Sequence, residues 1–166
     1  SRYITTLGFN LFGIKPKLRK RPNKNALVVV YSSTHLVDFI VSKGAVRGNK
    51  IAQQIDTPKW INQNSEYEKA FVKGLMDTDG CLYIHRHTIK NVLYQNLGLC
   101  FASFSNKLVI SVANILIKNG IKPYITNKGR CIYLYSYKSV LKYLSIFGSS
   151  NPRILNKFKE WRGVRV

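Results

Sequence analysis

Two carboxylates stand close together in the sequence Asp77-Thr78-Asp79-Gly80. They follow an amphipathic segment that begins at Ser65, so we expect them at the C-terminus of a helix, where the backbone dipole is already negative. Local electrostatics therefore disfavour both charges unless a cation binds beside them, and hard carboxylate oxygens suit Mg²⁺. The alternative is that both Asp residues only cap a turn before Gly80, which is the usual role of an isolated Asp-x-Asp-Gly.

The segment before these carboxylates is typical of a helix that packs closely against another backbone. Ser65 and Glu68 form a capping box at its start. A glycine inside a helix costs about 1 kcal/mol relative to alanine, so Gly74 indicates close approach of a neighbour on its face. Apolar residues recur at helical spacing along the segment: Tyr67, Ala70, Phe71 and Leu75.

The elements that position the carboxylates belong to an internal repeat. The tetrapeptide Gly-Ile-Lys-Pro occurs at residues 13–16 and again at 120–123. An apolar strand, an amphipathic helix and a glycine follow it in the same order each time. A further helix is expected to start near Ile51 in the first copy and near Ile154 in the second.

The second copy is preceded by elements that the first copy lacks. Patterning predicts a helix at 65–78, strands at 81–87 and 95–105, and a helix at 107–119. The complete repeat is therefore αββαββαα, which is an α+β fold with an antiparallel sheet. We divide the chain into a partial first repeat (1–56), which lacks the first helix and hairpin, a linker (57–64) and a complete repeat (65–166).

The composition points to a polyanionic partner. The chain has 27 Lys and Arg against 7 Asp and Glu, a formal charge of +20. No apolar run approaches the roughly 20 residues that span a bilayer, so we expect no membrane partner. The first residues do not resemble a signal peptide, and Cys81, Cys100 and Cys131 lack the spacing of a zinc site. We expect an intracellular protein, in the cytoplasm, nucleoid or an organelle matrix.

Strand alternation predicts a surface that contacts nucleic acid. In the strand from Cys81, Leu82 and Ile84 face the core and the residues between them face a partner. We interpret the two histidines as DNA contacts, because no Cys or acid accompanies them. The basic residues at alternate positions from Lys15 to Arg21 suit phosphates, although a solvated edge strand is the alternative. The predicted contacts are Lys15, Lys17, Arg19, Arg21, Tyr83, His85, His87, Asn96, Tyr124, Thr126 and Lys128.

Residues 72–80, Val-Lys-Gly-Leu-Met-Asp-Thr-Asp-Gly, resemble the motif that names the LAGLIDADG homing endonucleases. The match keeps the central Gly-Leu and the Asp-x-Asp-Gly end, and it departs at Lys73, where the family usually has a small residue. Together with the repeat, the resemblance covers essentially the whole chain. It is to the double-motif type, with the first motif absent here.

This resemblance implies roles for particular residues. Asp79 would be the metal-binding catalytic carboxylate, with Mg²⁺, or Mn²⁺ or Ca²⁺, as cofactor, and Asp77 would support the turn. A basic residue of the family lies near the metals, and the candidates are Lys50, Arg47 and Arg153. In the family two motif helices pack side by side, which predicts an interface at Gly74, Phe71 and Thr78.

The resemblance implies a site-specific endonuclease that makes metal-dependent double-strand cuts in DNA at a long target, across the minor groove. The second motif would come from a missing N-terminal segment, a separate fragment or a second copy. One alternative is an RNA-binding intron maturase on the same scaffold. The other is a non-catalytic DNA-binding regulator, against which Asp79 argues.

Overall fold

A computed structural model describes residues 2–24, 26–126 and 128–163, which form two compact units, residues 1–45 and 46–166. The first unit contains α1 (Arg2–Phe12), β1 (Lys17–Lys20), β2 (Leu27–Val30) and α2 (Thr34–Ser42). The strands β1 and β2 form an antiparallel hairpin, with Lys17 opposite Val30. The Tyr31 hydroxyl donates a hydrogen bond of 3.0 Å to the Ile4 carbonyl, and a side chain at Gly8 would collide with the Tyr31 ring.

The second unit is built around a four-stranded antiparallel sheet in the order β3-β4-β6-β5. A short 3-10 turn (Ile61–Gln63) precedes the first helix. Its elements in chain order are α3 (Ser65–Asp79), β3 (Gly80–Ile89), β4 (Val92–Ala102), α4 (Asn106–Lys118), β5 (Tyr124–Thr126), β6 (Cys131–Leu134), α5 (Tyr137–Ile146) and α6 (Pro152–Gly163). This order confirms the predicted α+β class and the αββαββαα repeat.

The core of the second unit lies between one face of the sheet and the helices. Leu97, Leu99 and Phe101 alternate along β4 and are each at most 1% exposed, as the alternation predicts. The same side receives the apolar face of α4, which includes Leu108, Val109, Val112 and Leu116. The other face of the sheet is formed by the alternate residues of each strand, such as Asn96 and Gly98 of β4.

Local chemistry sets the ends of these elements. Lys90 and Asn91, the two residues between β3 and β4, both have positive φ, 46° and 63°. Two left-handed residues form the turn that matches the twist of a tight hairpin. Helix α4 begins after Ser105, whose hydroxyl accepts a hydrogen bond from the Leu108 amide at 3.5 Å.

Three predictions about element bounds are wrong. Residues 50–54 form turns instead of a helix starting near Ile51, and the Asn49 side chain accepts hydrogen bonds from the amides of Ile51 and Ala52. The cap of α3 is Asn64 and not Ser65, since the Asn64 side chain accepts from the Glu66 amide at 2.8 Å. The hairpin strands are 80–89 and 92–102, and residues 103–105 leave the sheet to cap α4.

Glu68 has a different role from the predicted capping one. Its side chain is buried, and its Oε2 lies 2.8 Å from the Lys118 ammonium of α4. A buried carboxylate needs a partner, and the tertiary structure supplies one on another helix.

Residues 46–64, which include the predicted linker at 57–64, group with the second compact unit. The Ser105 hydroxyl donates to the Ile55 carbonyl at 2.5 Å, and the Asn106 amide donates to the Gln54 side chain at 3.1 Å. Among the described residues, no helix is long and apolar enough to cross a membrane.

Candidate active site and nucleic-acid interface

Asp79 is the last residue of α3, and Gly80 after it already belongs to β3. This helix-to-strand junction is tight, because a Cβ at Gly80 would lie 2.4 Å from the Met76 carbonyl oxygen. Asp79 is exposed, and its Oδ2 accepts a hydrogen bond of 3.2 Å from the Thr78 hydroxyl. Its carboxylate is therefore accessible to a cation from solvent.

Asp77 is half-buried and joins α3 to the loop between α5 and α6. Its Oδ1 accepts from the Ser149 hydroxyl at 2.5 Å, and its Oδ2 accepts from the Ser150 amide at 2.8 Å. The Asn151 side-chain amide donates to the Asp77 carbonyl oxygen at 2.7 Å. We call Asp77, Ser149, Ser150 and Asn151 the Asp77 clamp, and it holds the end of α3 that carries Asp79.

One side of α3 forms an exposed stripe that consists of Tyr67, Ala70, Gly74 and Thr78. A Cβ at Gly74 would meet no atom of the described chain within 4 Å. The Thr78 hydroxyl donates back to the Gly74 carbonyl at 3.1 Å. Phe71 differs from these residues because it is half-buried and packs against the core. The predicted helix interface therefore has open space at Gly74 and Thr78.

The side of the sheet opposite the core, which we call the open sheet face, is lined by strand residues other than Lys, Arg, Asp and Glu. Strand pairing places Cys81, Cys100, Tyr133 and Tyr124 in one row across the four strands. Farther from Asp79 along β3 come the pairs Tyr83 with Gly98, His85 with Asn96, and His87 with Tyr94. The predicted contacts Tyr83, His85, His87, Asn96, Tyr124 and Thr126 therefore share this face.

Aromatic rings form two stacked groups on the open sheet face. Ring centroids of His85 and His87 lie 5.1 Å apart, and those of His87 and Tyr94 lie 5.6 Å apart. On the other side, Tyr133 and Tyr135 are stacked at 5.2 Å with an interplanar angle of 5°, and Tyr124 lies 5.8 Å from Tyr135. The two groups border a shallow cavity of about 190 Å³.

Burial perturbs two ionisable groups on this face. Desolvation, followed in size by the nearby Cys100, raises the pKa of Tyr83 to about 12. Desolvation also raises the pKa of the Cys100 thiol, with smaller effects from Cys81 and Cys131. Both groups therefore stay neutral over the physiological pH range.

Residues 66–158, more than half of the chain, match the family described as LAGLIDADG-like domain. The chain belongs to the LAGLIDADG family. None of the curated protein sequences matches it significantly.

Solved structures share the fold. The I-SmaMI meganuclease bound to uncleavable DNA has a TM-score of 0.62 at 10% identity, covering 98% of this chain and 75% of that chain. The I-LtrWI LAGLIDADG homing endonuclease bound to target DNA has a TM-score of 0.58 at 9% identity, covering 98% and 74%. A complex of the homing endonuclease I-CvuI with the I-CreI target, in the presence of Mg, has a TM-score of 0.40 at 15% identity, covering 56% and 57%. The fold is therefore that of the LAGLIDADG homing endonucleases.

The three basic candidates for a role beside the LAGLIDADG motif lie in two segments of the second unit. The backbone amide of Arg153 donates to the Asn151 side chain at 2.9 Å, and Asn151 belongs to the Asp77 clamp. Arg47 and Lys50 are exposed in the irregular segment before α3, where the Arg47 carbonyl accepts from the Gln53 side chain at 2.6 Å.

The basic residues predicted to contact phosphates, Lys15, Lys17, Arg19 and Arg21, lie in the first unit, and we call them the basic line. Lys17 and Arg19 are in β1, Lys15 precedes the strand and Arg21 follows it, and all four are exposed. Lys20 is exposed as well, so both faces of this short hairpin strand are basic. Lys128 lies in the turn between β5 and β6 with a φ of 55°.

Two features of the LAGLIDADG repeat were not predicted from the sequence: the tyrosines Tyr133 and Tyr135 on the open sheet face, and the relative placement of the three cysteines. The alternation in Cys131-Ile132-Tyr133-Leu134-Tyr135 places Tyr133 and Tyr135 opposite the buried Ile132 and Leu134, so this signal was present in the sequence. The three cysteines are far apart in sequence, and only strand pairing places Cys81 opposite Cys100 and Cys131 opposite Ala102.

Proposed function

We propose that this chain is part of a site-specific DNA endonuclease that hydrolyses phosphodiester bonds with a divalent cation and cuts both strands of a long target. The observation that carries the proposal is the exposed carboxylate of Asp79 at the end of the LAGLIDADG helix. The charge of +20 supplies the attraction to DNA phosphates. Such an enzyme would act inside the cell, in a compartment that contains DNA.

This chain would supply one of the ligands of a metal site, the Asp79 carboxylate. Among residues 2–24, 26–126 and 128–163, no three His, Cys, Asp or Glu side chains are grouped so that they could hold a metal ion. Asp79 is a hard oxygen ligand and fits Mg²⁺, with Mn²⁺ or Ca²⁺ as alternatives. The remaining ligands would come from a second motif and from phosphate oxygens. When bound, the cation supplies an activated water and stabilises the leaving oxygen.

In such an enzyme, different residues of this chain would have different roles. Asp79 holds the cation, and the Asp77 clamp keeps the end of α3 in place. Arg153 is one candidate for the assisting basic residue, because it lies at the start of α6, two residues after Asn151 of the clamp. Arg47 and Lys50 remain candidates for the same role.

Contacts to the duplex would come from both units. The basic line and Lys128 in the turn between β5 and β6 would contact phosphates. The open sheet face would contact base edges. The residues proposed for these contacts are Lys15, Lys17, Arg19, Arg21, Lys128, Tyr83, His85, His87, Asn96, Tyr124 and Thr126.

We further propose that a second LAGLIDADG motif completes the enzyme. The stripe of α3 is exposed at Gly74 and Thr78. In the first unit, Leu11 of α1 is 63% exposed and Phe39 of α2 is 51% exposed. Within the described residues, β2 pairs only with β1, whereas its counterpart β6 pairs with both β4 and β5. An additional helix and hairpin would cover these surfaces.

The test combines this chain with a segment that carries a second motif, supplied in trans, and incubates both with target DNA and Mg²⁺. The wild-type mixture is expected to make double-strand cuts, and Asp79→Asn should abolish cutting while leaving DNA affinity within about twofold, since one neutralised carboxylate affects phosphate contacts little. Glu66→Gln is the matched control, because Glu66 is an exposed acid on the same helix.

Two results would contradict these proposals. Retained cleavage by Asp79→Asn would remove Asp79 from the active site. Double-strand cutting by this chain alone, as a monomer in solution, would show that no second motif is needed.

A further inference from the structure

The open sheet face has an unusual composition for a protein with so much positive charge. No Lys, Arg, Asp or Glu is found among the strand residues of this face. The stretches concerned are 81–89, 92–102, 124–126 and 131–133. Readout of base edges in the major groove relies mainly on Arg, Lys, Asn and Gln. Of these types Asn96 alone is present among those strand residues, and the other polar groups of the face belong to His, Tyr, Thr and Cys side chains.

Aromatic rings take the place of those polar side chains. Tyr124 and Tyr135 are 58% and 55% exposed, and Tyr94 is 45% exposed. A large apolar ring at the surface of a four-stranded antiparallel sheet is suited to stacking on an unpaired base. Each such base contributes about 5- to 150-fold to affinity.

The two groups of rings leave room for a flat ligand between them. The cavity of about 190 Å³ is lined by Tyr83, His85, Asn96, Leu97, Gly98 and Tyr135. A side chain at Gly98 would collide with the Tyr83 ring, so this ring lies directly over the glycine. The cavity is smaller than the roughly 300–1,000 Å³ of pockets for drug-sized molecules, which suits a single planar ring.

Positive charge is available at the ends of the sheet. Lys90 lies in the turn between β3 and β4, and Lys128 and Arg130 lie in the turn between β5 and β6; all three are exposed. A phosphate backbone can therefore be held at the rim while bases reach the rings.

We propose that the open sheet face binds unpaired nucleotides of RNA or DNA by stacking bases on Tyr124 and Tyr135, with the cavity beside His85 and Asn96 taking one base. This activity goes beyond the proposed cleavage of duplex DNA and needs neither a metal nor a second motif. Duplex DNA would compete for the same face.

The test measures binding of fluorescein-labelled oligo(U) and oligo(dT), and of a duplex of equal length, by fluorescence anisotropy in a metal-free buffer. All variants are made in an Asp79→Asn background, so cleavage plays no part and failure of the proposed endonuclease function would not affect the result. Tyr135→Ala and Tyr124→Ala should each weaken binding of both oligonucleotides at least about fivefold.

Two comparisons separate stacking from other effects. Tyr135→Phe should keep wild-type affinity, because it removes the hydroxyl and retains the ring. Tyr3→Ala is the matched control, since Tyr3 is 61% exposed but lies on α1 rather than on the sheet. The slope of log K against log salt should stay the same in all variants, because no charge is changed.

Equal binding of oligo(U) and oligo(dT) would support recognition of any unpaired base, and tighter binding of oligo(U) would support RNA as the source. The proposal is overturned if the wild-type face binds only the duplex, if the Ala variants bind as well as the wild type, or if Phe and Ala variants at position 135 lose affinity equally.

Discussion

Two carboxylates only two residues apart have separate environments. Asp79 is exposed and is contacted by the neighbouring Thr78 hydroxyl, whereas Asp77 accepts hydrogen bonds from Ser149 and Ser150, more than 70 residues away in sequence. A helix turns by about 100° per residue, so positions two apart face different surroundings. This separation allows one carboxylate to meet a ligand while the other holds the fold.

The raised pKa of Tyr83 predicts a dependence of stability on alkaline pH. Its pKa is about 12 in the folded protein against 10.0 as the usual value, so the folded state holds this proton more tightly than the unfolded state. The contribution is fully present below pH 10 and is lost as pH rises from about 10 to about 12. The free energy of unfolding, measured with urea, should fall over this window, and Tyr83→Phe should make that fall smaller.

Burial also raises the pKa of Tyr143. The alkaline fall in unfolding free energy of Tyr143→Phe, measured in the same way, therefore shows how much of the wild-type fall comes from Tyr143 and not from Tyr83. If Tyr83→Phe leaves the alkaline decline of the wild type unchanged, Tyr83 does not contribute to it.

At the scale of elements, α3 is held from both ends by contacts that are distant in sequence. Near its start, buried Glu68 pairs with Lys118 of α4. At its end, the Asp77 clamp joins it to the start of α6. The LAGLIDADG helix is therefore attached to the rest of the second unit near both of its ends, while its stripe stays exposed at Gly74 and Thr78.

The clamp predicts a measurable loss of stability. Hydrogen bonds to a charged group are worth about 1.5–3 kcal/mol each when both partners are protected from water, and Asp77 is half-buried. Asp77→Ala should therefore lower the free energy of unfolding by about 2 kcal/mol. Ser149→Ala removes one of the bonds and should cost about half as much. Urea denaturation of the isolated chain checks both values.

An unchanged urea midpoint in Asp77→Ala would mean that the clamp does not stabilise the helix end. Asn151→Ala should destabilise the chain as well, because it removes the bond to the Asp77 carbonyl together with the bond from the Arg153 amide at the start of α6.

At the scale of the whole molecule, the charge of +20 predicts how DNA binding depends on salt. Each phosphate neutralised by Lys or Arg adds about −0.9 to the slope of log K against log salt. Removing one contact, as in Lys17→Ala or Arg19→Ala, should make the slope less negative by about 0.9. Affinity for duplex DNA, titrated at several salt concentrations, tests this.

Glu160→Gln is a control for that titration, since Glu160 pairs with Lys157 on the surface of α6 and its loss leaves the basic line intact. A flat salt response of the wild-type chain would rule out binding through phosphates.

The amino-acid sequence by itself determined the features that depend on neighbouring residues. Helix α3 with its Asp-x-Asp-Gly end follows from periodicity and turn chemistry, and the buried residues of β3 and β4 follow from strict alternation. The repeat of αββαββαα was readable because the same local signals recur in the same order. These signals act over a few residues, so no long-range contact is needed to read them.

Only the tertiary structure decided which distant residues meet. The pairing of Glu68 with Lys118 and the clamp on Asp77 join residues 50 to 74 positions apart. Sheet order determined that Tyr133 and Tyr124 share a row with Cys81 and Cys100. Residues 50–54 lost their predicted helix because turn hydrogen bonds and contacts with the start of α4 occupy their polar groups. Such choices depend on which partners the folded chain brings together, and local patterning carries no record of them.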